Sequence, residues 1–521
     1  MKVLRNFVLV FAVLAALPSN IGAQNQNKTV CYDEVCVFEI LEKMISDDVA
    51  TVADAEQTLS ELVDTYIYTK DSRIKYALKN SIIAFVEKFS ECKSDQFLIS
   101  LLPQFCSRND IDDIFQLIDN EHIADFAIRA MGDMNGSGDY FVKYIDRNHD
   151  DLKYQAALAY AIGKQHLTSF ENELISWLDD ADEPTKIDIY NALLVIRSNE
   201  QTTKIIEKGA KKLNKSKISE NKIAGMRLLT ALNGEKALPM LNKALKHKDG
   251  NVRRAALELM KPFANQTVVK NVMKRCKKGE AFVDAINWIG DIKDETQMEL
   301  IINQLSSNDS EVVNAAIRAI FKIDNIDGIN AVKPMFGTVY QEVIKESMVN
   351  YKGDYRAILN DLLKNGNDRQ KLASLQILES RPTNEVNQRV QELLSSDSQA
   401  VRDEAYKILK IVTSAKDTEF LMRLLEYCNE KYVEDVQFGI KKATETLPTD
   451  RKDHYALTLK HVKSDVMPRY YKVFAFFGTE LCVEKLIDAY QNGDYKFDVK
   501  EALLMVENKN FENRINEVLK D

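Results

Sequence analysis

The segment Asp133-Met134-Asn135-Gly136-Ser137-Gly138-Asp139 has the most ligand-like spacing in the chain. Oxygen-bearing side chains stand at alternate positions and a glycine stands sixth, the pattern by which an EF-hand loop surrounds a calcium ion. The twelfth position, where a bidentate Glu would close the shell, is Tyr144. A polar turn following Gly132 is therefore the preferred reading, with calcium binding as the alternative. His122, His149, His166, His247, His454 and His461 form no close-spaced pair, and none stands with Cys or Glu at helical ligand spacing. The chain contains no Gly-x-Ser-x-Gly elbow, no Gly-rich phosphate loop before a strand and no Cys-x-x-Cys. We accordingly expect no catalytic residue, no metal centre and no cofactor: a non-enzyme. Binding chemistry is offered instead by Tyr470, Tyr471 and Phe474, residue types over-represented at contact surfaces.

Seven cysteines are present, and two pairs, Cys31/Cys36 and Cys92/Cys106, are close enough in sequence to join in an oxidising compartment. The odd count, with the apolar neighbours of Cys428 and Cys482, suits mostly reduced cysteines acting as small hydrophobes. Five sequons, at Asn27, Asn135, Asn214, Asn265 and Asn308, would accept glycans in a eukaryotic host.

Positioning elements follow from a repeat. In Val252-Arg253-Arg254-Ala255-Ala256-Leu257-Glu258-Leu259-Met260, Val252 is taken as position i; i, i+4, i+7, i+8 and i+11 then share one face of a helix. Further copies start at Ile123, Tyr154, Ile187, Ile223, Ala281, Val312, Tyr340, Arg369, Val401, Val433, Arg469 and Phe497. From 252 to 433 the intervals are 29, 31, 28, 29, 32 and 32 residues, room for two short helices and their turns. Single helices of about 10–12 residues are marginal alone, so each pair must stack on its neighbours. Gly132, Gly163, Gly290 and Gly478 are expected to end helices in left-handed caps, and Asp249, Asp309 and Asp397 to cap the next helix N-termini. Only 18 Gly and 9 Pro in 521 residues, with no alternating β-branched runs, agree with an all-α chain.

The first residues read as a leader: Lys2 and Arg5, then an apolar run from Phe7 to Leu17, then Ile21-Gly22-Ala23 before Gln24. The run is too short to span a bilayer comfortably. We therefore expect export to a periplasmic or extracellular location, with a signal peptide over 1–23, a polar segment over 24–47 and the repeat array over 48–521. The formal net charge is −9, and cleaving the leader would make the chain more acidic still. That balance argues against a nucleic-acid reader. The basic runs Lys208-Gly209-Ala210-Lys211-Lys212 and Lys274-Arg275-Cys276-Lys277-Lys278 read as solvated helix ends.

Val252-Arg253-x-x-Ala256 and Val401-Arg402-x-x-Ala405 resemble the HEAT-repeat family, in its short subtype, over about residues 49–521. The resemblance implies an α-solenoid, a HEAT-like superhelix of about 14 helix pairs whose second helices line a concave face. It further implies a non-enzymatic scaffold or adaptor that binds a protein or peptide partner there, exported if the leader is read correctly. Outward slots in this register are i+1, i+2, i+5 and i+6, and Tyr470, Tyr471 and Phe474 fill three of them; core packing of these aromatics is the competing reading. A looser resemblance links Arg73-Ile74-Lys75-Tyr76-Ala77-Leu78 and Ala124-Asp125-Phe126-Ala127-Ile128-Arg129-Ala130 to the helical arrays of secreted keto-disaccharide-hydrolase-type bacterial proteins. No strand-rich catalytic domain follows, so this implies at most an accessory carbohydrate-binding or diverged sugar-processing relative.

Overall fold

A computed structural model of the chain describes residues 33–89, 92–148, 153–459, 462–493 and 495–520. The leader, Cys31, Asn27, His149 and His461 lie outside them. Among the described residues every regular element is an α- or 3-10 helix. No described helix is long and apolar enough to cross a membrane.

The chain divides into two compact units, Met1–Ala281 and Phe282–Asp521. In the first, the helices Ala124–Gly132, Gln155–Lys164, Glu183–Ile196, Ser219–Asn233 and Gly250–Met260 form a row, each packed on the next. Intervening helices such as Glu200–Asn214 and Leu238–Ala244 form the other layer. In the second, Ser310–Ile323, Gln341–Asn350, Asp368–Ser380, Gln399–Val412, Val433–Thr444, Pro468–Phe477 and Lys496–Leu504 make the corresponding row. Each unit is thus a stack of helix pairs of the HEAT type, all-α as the repeat predicts.

The turns explain why the helices start where they do. Asp249 and Asp309 accept from the backbone N–H of Asn251 and Glu311, capping their helices as expected. Asp397 does not: Ser398 takes the cap position of Gln399–Val412.

The buried register is wider than a single stripe. In Gly250–Met260 the buried residues are Val252, Arg253, Ala256, Leu257 and Met260, that is i, i+1, i+4, i+5 and i+8. Val312, Val313, Ala316, Ile317 and Ile320 repeat the pattern. A helix inside the row is covered by the preceding second helix, the following one and its own first helix, so it buries a broader arc than the roughly 100° face of a helix lying on one core. Around Ile187 the frame slips by one: Val195 is exposed, while Ile189, Ala192, Leu193 and Ile196 are buried.

The glycines divide by role. Gly478 has φ +57° and is a left-handed cap. Gly132, Gly163 and Gly290 instead remain helical and mark close approaches. A Cβ on each would stand 3.0, 3.0 and 2.7 Å from the Cα of Ala161, Ala192 and Ala319 in the next second helix. Gly290→Ala is therefore expected to destabilise by about 1–3 kcal/mol through overpacking, although Ala is the better helix former by about 1 kcal/mol. At Gly439 the nearest atom would be 3.4 Å away, so Gly439→Ala should be neutral or mildly stabilising. Thermal melts of the two variants that moved in the same direction would refute this distinction.

Cys36 is disulfide-bonded, but its expected partner Cys31 lies outside the described residues. Cys92 and Cys106 are free, contrary to the pairing their sequence proximity suggests. They flank the eleven-residue helix Asp95–Phe105, which spans roughly 16 Å, whereas a disulfide needs Cα atoms within about 7 Å. Burial pushes the Cys106 thiol up to about 12.

Candidate functional site

The three aromatics placed outward by the sequence register are all buried. Tyr470 is 1% exposed, Tyr471 7% and Phe474 4%. The reason is the wide buried arc: slots i+1 and i+5, which Tyr470 and Phe474 occupy, face neighbouring helices here as Val313 and Ile317 do. The Tyr470 hydroxyl donates to the Met422 carbonyl at 2.7 Å. These side chains are packed within the second unit instead of facing outward as the register places them.

The loop from Asp133 to Asp139 is a connecting turn. The Ser137 side chain is buried and its hydroxyl donates inward to the carbonyls of Met131 and Met134. Asp133 is engaged by Lys164 at 2.8 Å and by the Tyr160 hydroxyl at 2.9 Å. Ser137 and Asp133 are thus engaged within the fold, and among the described residues no group of three His, Cys, Asp or Glu is arranged to hold a metal ion.

A different cluster emerges around that same Asp133, built across three successive second helices of the first unit. Ala124–Gly132 supplies Asp125 and Arg129, Gln155–Lys164 supplies Tyr160 and Lys164, and Glu183–Ile196 supplies Asp188. Arg129 donates Nε to Asp125 at 3.0 Å and Nη2 to Asp188 at 2.8 Å, reaching past one whole repeat. Its guanidinium carbon lies 5.4 Å from the Tyr160 ring centroid, and the Lys164 ammonium 5.2 Å from the same ring. Tyr160 is thus an aromatic surface shared by two cations.

The electrostatics follow from partial burial. Burial would lower the Arg129 pKa, but Asp188 and Asp125 outweigh it and hold the guanidinium above its usual value. Burial raises the Asp188 carboxyl, and Arg129 reverses only part of that. Tyr160 is raised by burial and by its bond to Asp133. The cluster contains no activated nucleophile and no paired acid and base around a cavity. What it offers is charge-assisted hydrogen bonding beside an aromatic face, on side chains that remain partly exposed.

Sequence reasoning did not single these residues out, though a signal was present. Arg129 and Tyr160 both occupy slot i+6, and Asp133 and Lys164 both occupy i+10, of consecutive copies. The second unit repeats the geometry: Arg318 reaches Glu346 between i+6 slots at 3.8 Å, and Lys322 reaches Asp291 between i+10 slots at 2.5 Å. Comparing equal slots across copies, rather than reading each copy alone, identifies these ladders.

No family model and no curated protein matches the chain. Solved structures similar to it include UNC-45 from Drosophila melanogaster, at 12% identity and TM-score 0.35, covering 94% of this chain and 83% of that one. Kap95p, in a complex with RanGDP, is similar at 11% identity and TM-score 0.37, covering 91% of this chain and 81% of that one. Kap121p bound to RanGTP is similar at 14% identity and TM-score 0.31; the match covers 94% of this chain and 54% of that one, so the chain spans about half its length. The HEAT-type arrangement itself stands on the stacked helix pairs.

Proposed function

We propose that the chain is a non-enzymatic scaffold or adaptor that binds a protein or peptide partner on the solvent-facing side of its second-helix rows. The observation that carries this reading is the Asp125–Arg129–Asp188 network over Tyr160. Charged groups shifted by burial yet open to solvent, without catalytic geometry, fit recognition. Arg and Tyr are also the residue types that dominate binding energetics.

Export from the cell, through cleavage before Gln24, belongs to the same reading and rests on the leader-like residues 1–23. N-terminal sequencing of the protein recovered outside the cytoplasm should begin at Gln24; a cytoplasmic protein retaining Met1 would refute export.

The function is tested by affinity purification of the full-length protein from its native host beside Arg129→Ala and Asp188→Asn variants. The expected result is a protein recovered by the wild type and reduced about tenfold by each variant, with circular dichroism unchanged. Equal recovery by all three would refute the assignment to this cluster. Binding on a glycan array with no protein recovered would replace it with carbohydrate recognition.

A further inference from the structure

An opening lies in the unit Phe282–Asp521, where Gln399–Val412 meets the end of the helix Thr418–Tyr427 and the turn that follows it. It is an open cleft of about 400 Å³, lined by Arg402, Tyr406, Tyr427, Asn429, Lys431 and Tyr432 among others, with no acidic side chain in the lining. Tyr406 and Tyr432 stack face to face, centroids 3.8 Å apart and planes within 2°, and both line the cleft. Tyr427 stands at the rim, 79% exposed. Of the two cations in the lining Lys431 is paired with Asp403 at 2.6 Å, so the charge the cleft offers is that of Arg402.

Arg402 sits in the slot that Arg253 fills in the first unit, one residue after the opening Val. Arg253 shows how an Arg in that slot is satisfied in the first unit. One of its nitrogens donates to the carbonyl of His247, six residues back, and the other reaches the Glu280 carboxylate at 2.9 Å, at the start of the next second helix. Arg402 repeats the first half, donating to the carbonyl of Ser396, also six residues back. Its other bond ends on the neutral side-chain oxygen of Gln399. Where the first unit provides Glu280, immediately before the next copy, this one provides Tyr432. The nearby Asp403 is occupied by Lys431, by the Gln399 amide and by the Tyr432 hydroxyl. The guanidinium therefore faces an aromatic-walled cleft without the carboxylate its counterpart has.

We infer that this cleft binds an acidic peptide segment of a protein partner, whose Asp or Glu carboxylate supplies to Arg402 what Glu280 supplies to Arg253, while its neighbouring residues lie against Tyr427 and the Tyr406/Tyr432 stack. An arginine fork matches a carboxylate in two parallel hydrogen bonds. Aromatic side chains provide contact area at low entropic cost. The inference rests on the scaffold reading for the kind of partner, but it concerns a separate site in the other unit.

The test is fluorescence anisotropy of the full-length protein with a labelled oligo-glutamate peptide, an oligo-lysine peptide and oligo-uridylate as probes. Oligo-glutamate is expected to bind, with affinity falling as salt rises, and the other two not to. Tyr427→Ala, at an exposed position, and Arg402→Gln should each weaken binding about tenfold. Asn429→Glu places a carboxylate in the cleft from within the chain and should block the peptide, whereas Asn429→Ala, which loses the same cap on the Lys431 N–H without adding charge, should still bind it. Failure of oligo-glutamate to bind, binding indifferent to Tyr427→Ala and Asn429→Glu, or preferential binding of oligo-uridylate would each overturn the inference. Because Arg129 and Asp188 are untouched, partner loss in those variants remains an independent result.

Discussion

Tyr470→Ala is expected to destabilise the Phe282–Asp521 unit by about 3–5 kcal/mol, the range for truncating a fully buried large aromatic. Tyr470 is 1% exposed and sits in the row between Val433–Thr444 and Lys496–Leu504. Most of the loss comes from the cavity. Tyr470→Phe, which keeps the ring and removes only the bond to the Met422 carbonyl, should cost about 1 kcal/mol. Chemical denaturation followed by circular dichroism separates the two. If Tyr470→Ala melted like the wild type, the ring would be a surface group after all, and the outward assignment of Tyr470, Tyr471 and Phe474 would be restored.

A comparable loss, about 3–5 kcal/mol, is expected for Asp110→Ala in the Met1–Ala281 unit. Asp110 is 5% exposed. It bonds Lys75 at 2.7 Å and Lys79 at 3.3 Å, and it accepts from both the backbone N–H and the hydroxyl of Ser107 at 2.8 Å. Removing it leaves the Lys75 and Lys79 ammonium groups, on side chains 16% and 11% exposed, with the neutral Ser107 hydroxyl beside Lys75 and Asp113 beside Lys79. The penalty is that of stranded charge, not of a lost attraction, because a buried ion pair is often no better than well-packed apolar residues. Replacing all three, with Lys75→Met, Lys79→Met and Asp110→Leu, should accordingly recover most of the stability.

The same site makes a pH prediction. Burial alone would raise the Asp110 carboxyl, but the bonds from Lys75 and Ser107 overturn this and hold it well below the usual carboxylate range. A group depressed in the folded state contributes stability that is complete above its unfolded pKa of about 3.9 and fades as pH falls toward the folded value. The gap in denaturation midpoint between wild type and Asp110→Ala should therefore be constant from pH 7 to 5 and narrow below pH 4. A gap unchanged at pH 2 would mean that charge at Asp110 contributes nothing.

Much of the fold was legible because a packing repeat leaves its mark on residue type. Val252, Ala256 and Met260 recur as apolar or small residues in every well-formed copy, and all three are buried. Asp249 and Asp309 were readable as caps because capping depends on residues two or three positions away. The candidate site was less accessible. Arg129 and Asp188 are 59 residues apart in the chain and meet only because the repeat between them stacks on both of their helices. Lys75 and Asp110, 35 residues apart, are brought together by the same stacking.

An acidic, all-α chain of repeated helix pairs without a local catalytic motif can be read from residue types alone, since each of these depends on composition or on spacing within a few turns of helix. Which side of each second helix meets solvent depends instead on the helices packed around it. A helix flanked by like helices buries two sides that a single-helix pattern assigns to one, so Tyr470 and Phe474 turned inward and Gly132, Gly163 and Gly290 became contact points instead of caps. For the same reason the charged network at Arg129 and the unanswered guanidinium of Arg402 appear only once neighbouring repeats are in place.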